Sequence, residues 1–221
     1  MKINNNCHKI HIWFNELKRH TFPFNKFEIP ENGIYVLFEK DELAHTANRI
    51  VRIGTHTGNN QLRSRLFQHF LRENKDRSIF RKHIGRALLN KINDPYLKYW
   101  EEDLTSKEAK QKFINLIDYN YQKEIEKNVT QYIQNYFSFI VFQIDEKELR
   151  LEMESKIIST VSLCEECKSS HNWLGKFSPK EKICKSGLWL INELYKTPLS
   201  DNDMQILENL ITPIVCLSMA Y

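Results

Sequence analysis

The 221-residue sequence contains no apolar run long enough to span a bilayer. Its two longest candidates, "FSFIVFQI" and "LITPIVCLSMAY", are short and interrupted. The opening stretch "MKINNNCHKIHIWFNELKRH" is polar and lacks the apolar core of a signal peptide. There is no internal repeat and no low-complexity tract. Five cysteines, an odd number without an export signal, argue for thiols and against a disulfide framework. These absences set aside the membrane, secreted and repeat classes, and a cytoplasmic location is expected. What remains is ordinary for a globular chain, with 41% hydrophobic and 27% charged residues. The length suits one sizeable domain, or a small domain carrying a helical insertion.

Charge is unevenly spread. The net charge is +4, yet the segment Leu62 to Lys91 holds nine basic residues against Glu73 and Asp76, a local +7. The basic residues include Arg63, Arg65, Arg72, Lys75, Arg77, Arg81, Lys82 and Arg86. Such a concentration is either the footprint of a polyphosphate partner or a solvated basic helical face.

Hydrophobic periodicity gives a coarse map. Residues 1–30 form an Asn-rich N-terminal extension closed by the turn signal "PENG". Gly33 to Glu39 reads as a strand covered on both faces, because every interior position is apolar. "KDELAHTAN" reads as a loop and Arg49 to Gly54 as a second strand. Gln61 to Glu73 reads as a helix with Leu62, Leu66 and Phe70 on one stripe; Arg65, His69 and Arg72 border it. A second basic helix follows, and residues of about 92–135 have the helical, Lys/Glu-rich character of an insertion. "YFSFIVFQI" is a third strand. Asp145 is placed to cap a helix from Glu146 to about Leu163, and a last helix lies near Asp201 to Leu210. The order implies an α+β domain over 31–175: a small three-stranded, antiparallel-centred sheet flanked by helices, with a C-terminal extension, 176–221, packed on it.

Glu154 is the informative residue. In "LRLEMESKIISTV" it shares a helical face with Leu151, Ile158 and Val161. A carboxylate in an apolar stripe is expensive unless it is paired or binds a metal. Arg65 is the obvious partner if the group is merely structural.

Taken together, Gly33-Ile34-Tyr35, Arg52-Ile53-Gly54, Arg65 and His69 in "RLFQH", Glu154 in "ESKII" and Asn172 in "HNWLG" resemble the GIY-YIG nuclease superfamily. The resemblance implies an endonuclease that hydrolyses DNA phosphodiester bonds with one divalent cation per site, Mg2+ or Mn2+. It implies that Glu154 is the metal ligand, and that Arg65 contacts phosphate. Tyr35 then helps activate the attacking water, His69 accepts a proton or orients the tyrosine, and Asn172 orients a group near the site. Arg63, Arg72, Lys75, Arg77, Arg81, Lys82 and Arg86 become the DNA-docking surface. A single-site nuclease cuts both strands by acting twice or by pairing, hence the expectation of a homodimer as one route. The second motif departs from the family, because Arg52 stands where tyrosine is usual. Tyr35 then acts alone, or His56 in "GTHTG" substitutes, or Arg52 contacts phosphate, or it is a strand-edge arginine with no catalytic part. The alternative consequence is a catalytically inactive module that keeps the fold and binds nucleic acid. A third possibility is an interaction protein using the 95–135 helices.

Other signals carry less. Cys164-x-x-Cys167 is half of a zinc site that His171 and Cys184 would complete only with irregular spacing, so free thiols are the expectation. "GTHTG" lacks the Gly-Lys-Ser/Thr ending of a phosphate loop. Trp173, Trp189 and Phe177 read as packing residues more readily than as base-stacking ones.

Overall fold

The computed structural model describes residues 2–212. In chain order the elements are α1 (Lys2–Glu16), β1 (His20–Thr21), β2 (Gly33–Ala44), β3 (Ala47–Gly54), α2 (Leu62–Phe70), α3 (Ile79–Lys91), α4 (Leu97–Trp100), α5 (Lys107–Phe113), α6 (Tyr119–Tyr136), β4 (Phe137–Gln143), α7 (Lys147–Leu163), α8 (Glu181–Ser186) and α9 (Asp201–Ile211). The end of the C-terminal extension, 213–221, including part of "LITPIVCLSMAY" and one cysteine, lies outside the described residues.

The fold is α+β, with one antiparallel sheet of four strands in the order β1-β4-β2-β3. The fourth strand, beyond the three expected, is β1. It is two residues long and pairs His20 with Phe139 at the sheet edge, too short for alternation to show in sequence.

The stretch expected as a loop, "KDELAHTAN", is instead the far half of a hairpin. β2 runs on to Ala44 and returns through His45-Thr46. Both turn residues have positive φ, 52° and 61°, the two-residue geometry whose twist matches the strands it joins. The register sets Tyr35 opposite Gly54 and Leu37 opposite Arg52, with an irregularity beyond Leu37.

The sheet is covered on both faces, as the unbroken apolar run of β2 requires. Ile34, Val36, Phe38, Ile53, Ile140 and Phe142 pack against Cys7, Ile10 and Phe14 of α1, Met153 and Ile157 of α7 and Leu207 of α9. On the other face, Tyr35, Leu37, Phe137 and Phe139 meet the Leu62–Leu66–Phe70 stripe of α2, Phe80 and Ile84 of α3, and Ile125, Val129 and Ile133 of α6. Residues before 31 and after 175 therefore supply core as well as surface. Trp173 and Trp189 are core residues, and both indoles donate to the buried Glu39 carboxylate, at 2.7 and 2.8 Å. Asp145 does not cap α7. It accepts from Asn32 and Gln143, and Glu146 holds the cap position without a side-chain bond. Among the described residues no helix is long and apolar enough to cross a membrane.

Candidate active site

A cleft of about 560 Å³ opens where the chain leaves β3 at Gly54. Arg52, Thr55, His56, Arg65, His83, Glu154 and Asn192 line it, and a second cleft of about 360 Å³ continues it along Thr55, His56, Gln61 and Arg65. Glu154 reaches it from α7, between Leu151 and Ile158. Its Oε1 accepts the Thr55 backbone N–H at 3.0 Å. The Thr55 hydroxyl is fixed by the Gly33 carbonyl, at 2.7 Å. The structural ion pair with Arg65 is not formed: no cationic nitrogen lies within 4.0 Å of Glu154 among the described residues. Burial pushes the Glu154 carboxyl up to about 7, against a smaller downward pull from Arg52, the Thr55 N–H and Arg65.

Arg52 and Arg65 are the cations of the cleft, and neither is paired with a carboxylate among the described residues. Among the described residues the Arg65 side chain is held only by Gln68 Oε1 at 3.2 Å and the Arg77 carbonyl at 3.5 Å. Arg52 is buried. It donates through Nη1 to the Trp189 carbonyl and through Nε to Tyr35 Oη at 3.3 Å, and its guanidinium lies over the Phe80 ring. The residue in the tyrosine's place, on the edge strand β3, therefore lines the cleft and contacts Tyr35.

Behind Arg52 runs a hydrogen-bonded chain. Tyr35 Oη stands 2.8 Å from His69 Nε2, and His69 Nδ1 stands 2.7 Å from Ser78 Oγ. Arg52 already donates to Oη, so the complementary assignment has the phenol donating to Nε2 and Nδ1–H donating to Ser78. Burial, reinforced by Arg52, Arg65 and Arg81, holds His69 well below its ordinary pKa, so the ring is neutral. Gly54 is required here: a Cβ at that position would stand 2.2 Å from Tyr35 Oη. The glycine that ends the second motif therefore makes room for the tyrosine of the first. Tyr35 and His69 are both buried and stand behind the cleft wall, not in it.

Several expected site residues are placed differently. His56 lines the cleft, but its Nδ1 donates to the Gly58 carbonyl at 2.6 Å and its Nε2 accepts the Gly33 N–H at 3.4 Å. It braces the loop, with both ring nitrogens engaged by backbone groups. Asn172 sits exposed in a turn outside the cleft, and the asparagine that lines the cleft is Asn192. His83, one turn beyond Ile79 on α3, was not singled out by sequence either. It accepts from Arg86 Nη1 at 2.9 Å and is held down to about 2 by burial and by Arg86.

The basic surface is also smaller than the sequence implied. Lys75, Arg81, Lys82 and Arg86 are buried. Arg81 pairs with Glu126 at 2.7 Å, Arg86 with Glu101 at 2.6 Å, and Lys75 and Lys82 converge on Asp76 at 2.8 and 3.4 Å. These four fasten α3 and its approach to the inserted helices and are not a docking face. Arg72 and Arg77 remain exposed, and Arg63 is half-buried against the Ile29 carbonyl and Glu31.

A family model described as the GIY-YIG domain matches residues 15–215, and the chain belongs to this family, whose domains are of nuclease type. No curated protein and no solved structure matches the chain.

Proposed function

We propose that the cleft is the active site of a metal-dependent endonuclease that hydrolyses DNA phosphodiester bonds. The observation that carries this reading is an unpaired carboxylate, Glu154, facing two arginines without carboxylate partners in one cleft. Such a set is incomplete without a cation for the carboxylate and an anion for the arginines. A bound phosphodiester and one divalent ion would satisfy both.

The residues present fit a magnesium- or manganese-type ion. Glu154 has one oxygen on the Thr55 N–H and makes no second hydrogen bond among the described residues. A single carboxylate, with waters and a substrate phosphate, is how Mg2+ is commonly held. When bound, the ion supplies Lewis-acid polarisation of the phosphoryl oxygen and stabilises charge at the leaving oxygen. Arg65, loosely held at the rim, contacts a non-bridging phosphate oxygen, and Arg52 supplies a second, more rigid positive charge. Tyr35 and His69 form a relay one layer behind the cleft wall: neutral His69 can receive the phenol proton at Nε2 while Nδ1–H rests on Ser78, and a water reaching Tyr35 Oη from the cleft would complete the proton-accepting role. Thr55 and His56 hold the loop that aims Glu154. Asn192, in place of Asn172, is the amide available to substrate. Arg63, Arg72 and Arg77 form the remaining phosphate-facing surface, which positions the duplex without reading its sequence.

A second reading keeps the fold and the binding but not the cutting. It is favoured by Arg52 itself, which closes over Tyr35 Oη where the family places a second tyrosine. The two readings separate when labelled duplex DNA, single-stranded DNA and RNA are incubated with the protein and added Mg2+ or Mn2+. Cleavage of DNA that requires the added ion supports the endonuclease. Gel retardation with intact strands under every condition supports the binding module. Cleavage of RNA alone would contradict the DNA assignment.

A further inference from the structure

Away from the cleft, and sharing none of its lining residues, three thiols and a histidine converge from three parts of the chain. Cys7 comes from α1 and His45 from the tip of the β2–β3 hairpin. Cys164 and Cys167 come from the C-x-x-C that ends α7. Cys7 Sγ lies 3.2 Å from Cys167 Sγ. His45 Nε2 lies 3.2 Å from Cys167 Sγ and 3.4 Å from Cys164 Sγ. The three cysteines are buried, and the His45 side chain is wholly so. A tetrahedral zinc ion, with Zn–S of ~2.3 Å and Zn–N of ~2.0–2.1 Å, sets its donor atoms about 3.5–3.8 Å apart. The three separations above fall a few tenths of an ångström short of this, and a small outward movement of those donors would admit the ion.

A fifth candidate, His11, stands close by, with Nε2 3.8 Å from Cys167 Sγ. Its ring is already spent on the backbone: Nδ1 donates to the Cys7 carbonyl at 2.9 Å, and Nε2 accepts the Ile50 N–H at 3.2 Å. His45 is the reverse case. Its Nε2 faces the sulfurs, and its buried Nδ1 makes no hydrogen bond although Glu166 Oε2 is 3.3 Å away. A metal-bound histidine commonly turns its other N–H to such a carboxylate. The residues that sequence spacing offered to complete the C-x-x-C are elsewhere. His171 is exposed, and Cys184 donates to the Gly175 and Ser178 carbonyls.

We propose that Cys7, His45, Cys164 and Cys167 bind one structural Zn2+ ion, which fastens α1 and the hairpin tip to the end of α7. Four protein ligands leave no open position, as in closed structural sites. Entry of the ion displaces the three thiol protons, and the binding free energy adds to folding. The proposal does not depend on what the cleft catalyses.

The test is the metal content of the full-length chain, purified reduced and without chelator. One zinc per chain is expected, released when a mercurial titrates the thiols. Replacement by Co2+ should give the visible d–d bands and thiolate charge-transfer absorption of a tetrahedral site. Cys164→Ser and His45→Ala should each lose the zinc, while Cys184→Ser keeps it. Should the ligand variants fail to fold, the wild-type zinc content and cobalt spectrum still decide. A wild-type chain that holds no zinc and stays colourless with Co2+ overturns the proposal. So does a thiol titration that falls two short because two of these cysteines form a disulfide.

Discussion

Replacing Glu154 by glutamine should make the protein more stable at pH 8 while abolishing any metal-dependent activity. The wild-type carboxyl is pushed from its ordinary 4.5 up to about 7 by burial. Below pH 4.5 it is protonated in both the folded and unfolded chains and contributes no pH dependence. Between 4.5 and about 7 the unfolded chain ionises while the folded chain does not, so stability falls as pH rises. Above about 7 the full penalty is present. At 1.36 kcal/mol per pKa unit the displacement corresponds to roughly 3 kcal/mol. The group opens on the cleft, so solvent screening trims this to about 1–3 kcal/mol. Glutamine reproduces the neutral carboxyl in shape and still accepts from the Thr55 N–H. The assay is urea unfolding of wild type and Glu154→Gln, followed by tryptophan fluorescence, at pH 5 and pH 8 with no divalent ion added. The stabilities should nearly coincide at pH 5, and the variant should lead by about 1–3 kcal/mol at pH 8. Equal stabilities at pH 8, or a variant less stable there, would refute the claim that Glu154 is held uncompensated.

Other outcomes follow from the same geometry. Cleavage measured at limiting Mg2+ should rise with pH through the region near 7 as Glu154 ionises, and a flat profile from pH 5 to 8 would remove Glu154 from the metal site. DNA affinity should weaken with salt at a log–log slope of about −4, because four of the nine basic residues of the segment are buried and five remain, Arg63, Arg65, Arg72, Arg77 and Lys91. A slope near −6 would mean that the buried lysines and arginines also contact DNA. Arg77→Glu should weaken DNA binding without lowering stability, read by gel retardation and thermal melting together. Glu126→Ala, which strands Arg81 in the interior, should cost about 3–5 kcal/mol in urea unfolding, and a loss under 1 kcal/mol would contradict the structural role given to the pair.

Much of the candidate site was legible because its residues are bound to short local patterns. The Gly-Ile-Tyr and Ile-Gly segments sit on adjacent strands, and their pairing follows from two apolar runs with one register. The spacing of Arg65 and His69 on α2, and of Glu154 on α7, is helical periodicity that needs no knowledge of neighbours. What was not legible depends on partners far away in the chain. The seven net positive charges of Leu62–Lys91 looked like a surface because Glu101 and Glu126, which neutralise Arg86 and Arg81, belong to a segment with no evident relation to it. Asn172 was carried by the motif resemblance, whereas Asn192 had no motif to mark it, and only the path of the chain after α7 brings it to the cleft. Cys7 is 160 residues from Cys167, and His45 lay in a stretch that looked like an open loop, so the thiol cluster had no sequence signature beyond C-x-x-C. β1 contributes two residues, less than one period of alternation.

The most direct test of the central claim is cleavage of supercoiled plasmid by wild type and Glu154→Gln, side by side at pH 8 with added Mg2+ or Mn2+. The wild type should nick or linearise the plasmid only when the ion is added. The glutamine variant, folded and binding DNA with similar affinity, should leave it intact. A variant that cuts as fast as wild type would contradict the assignment of the cleft around Glu154 as the active site.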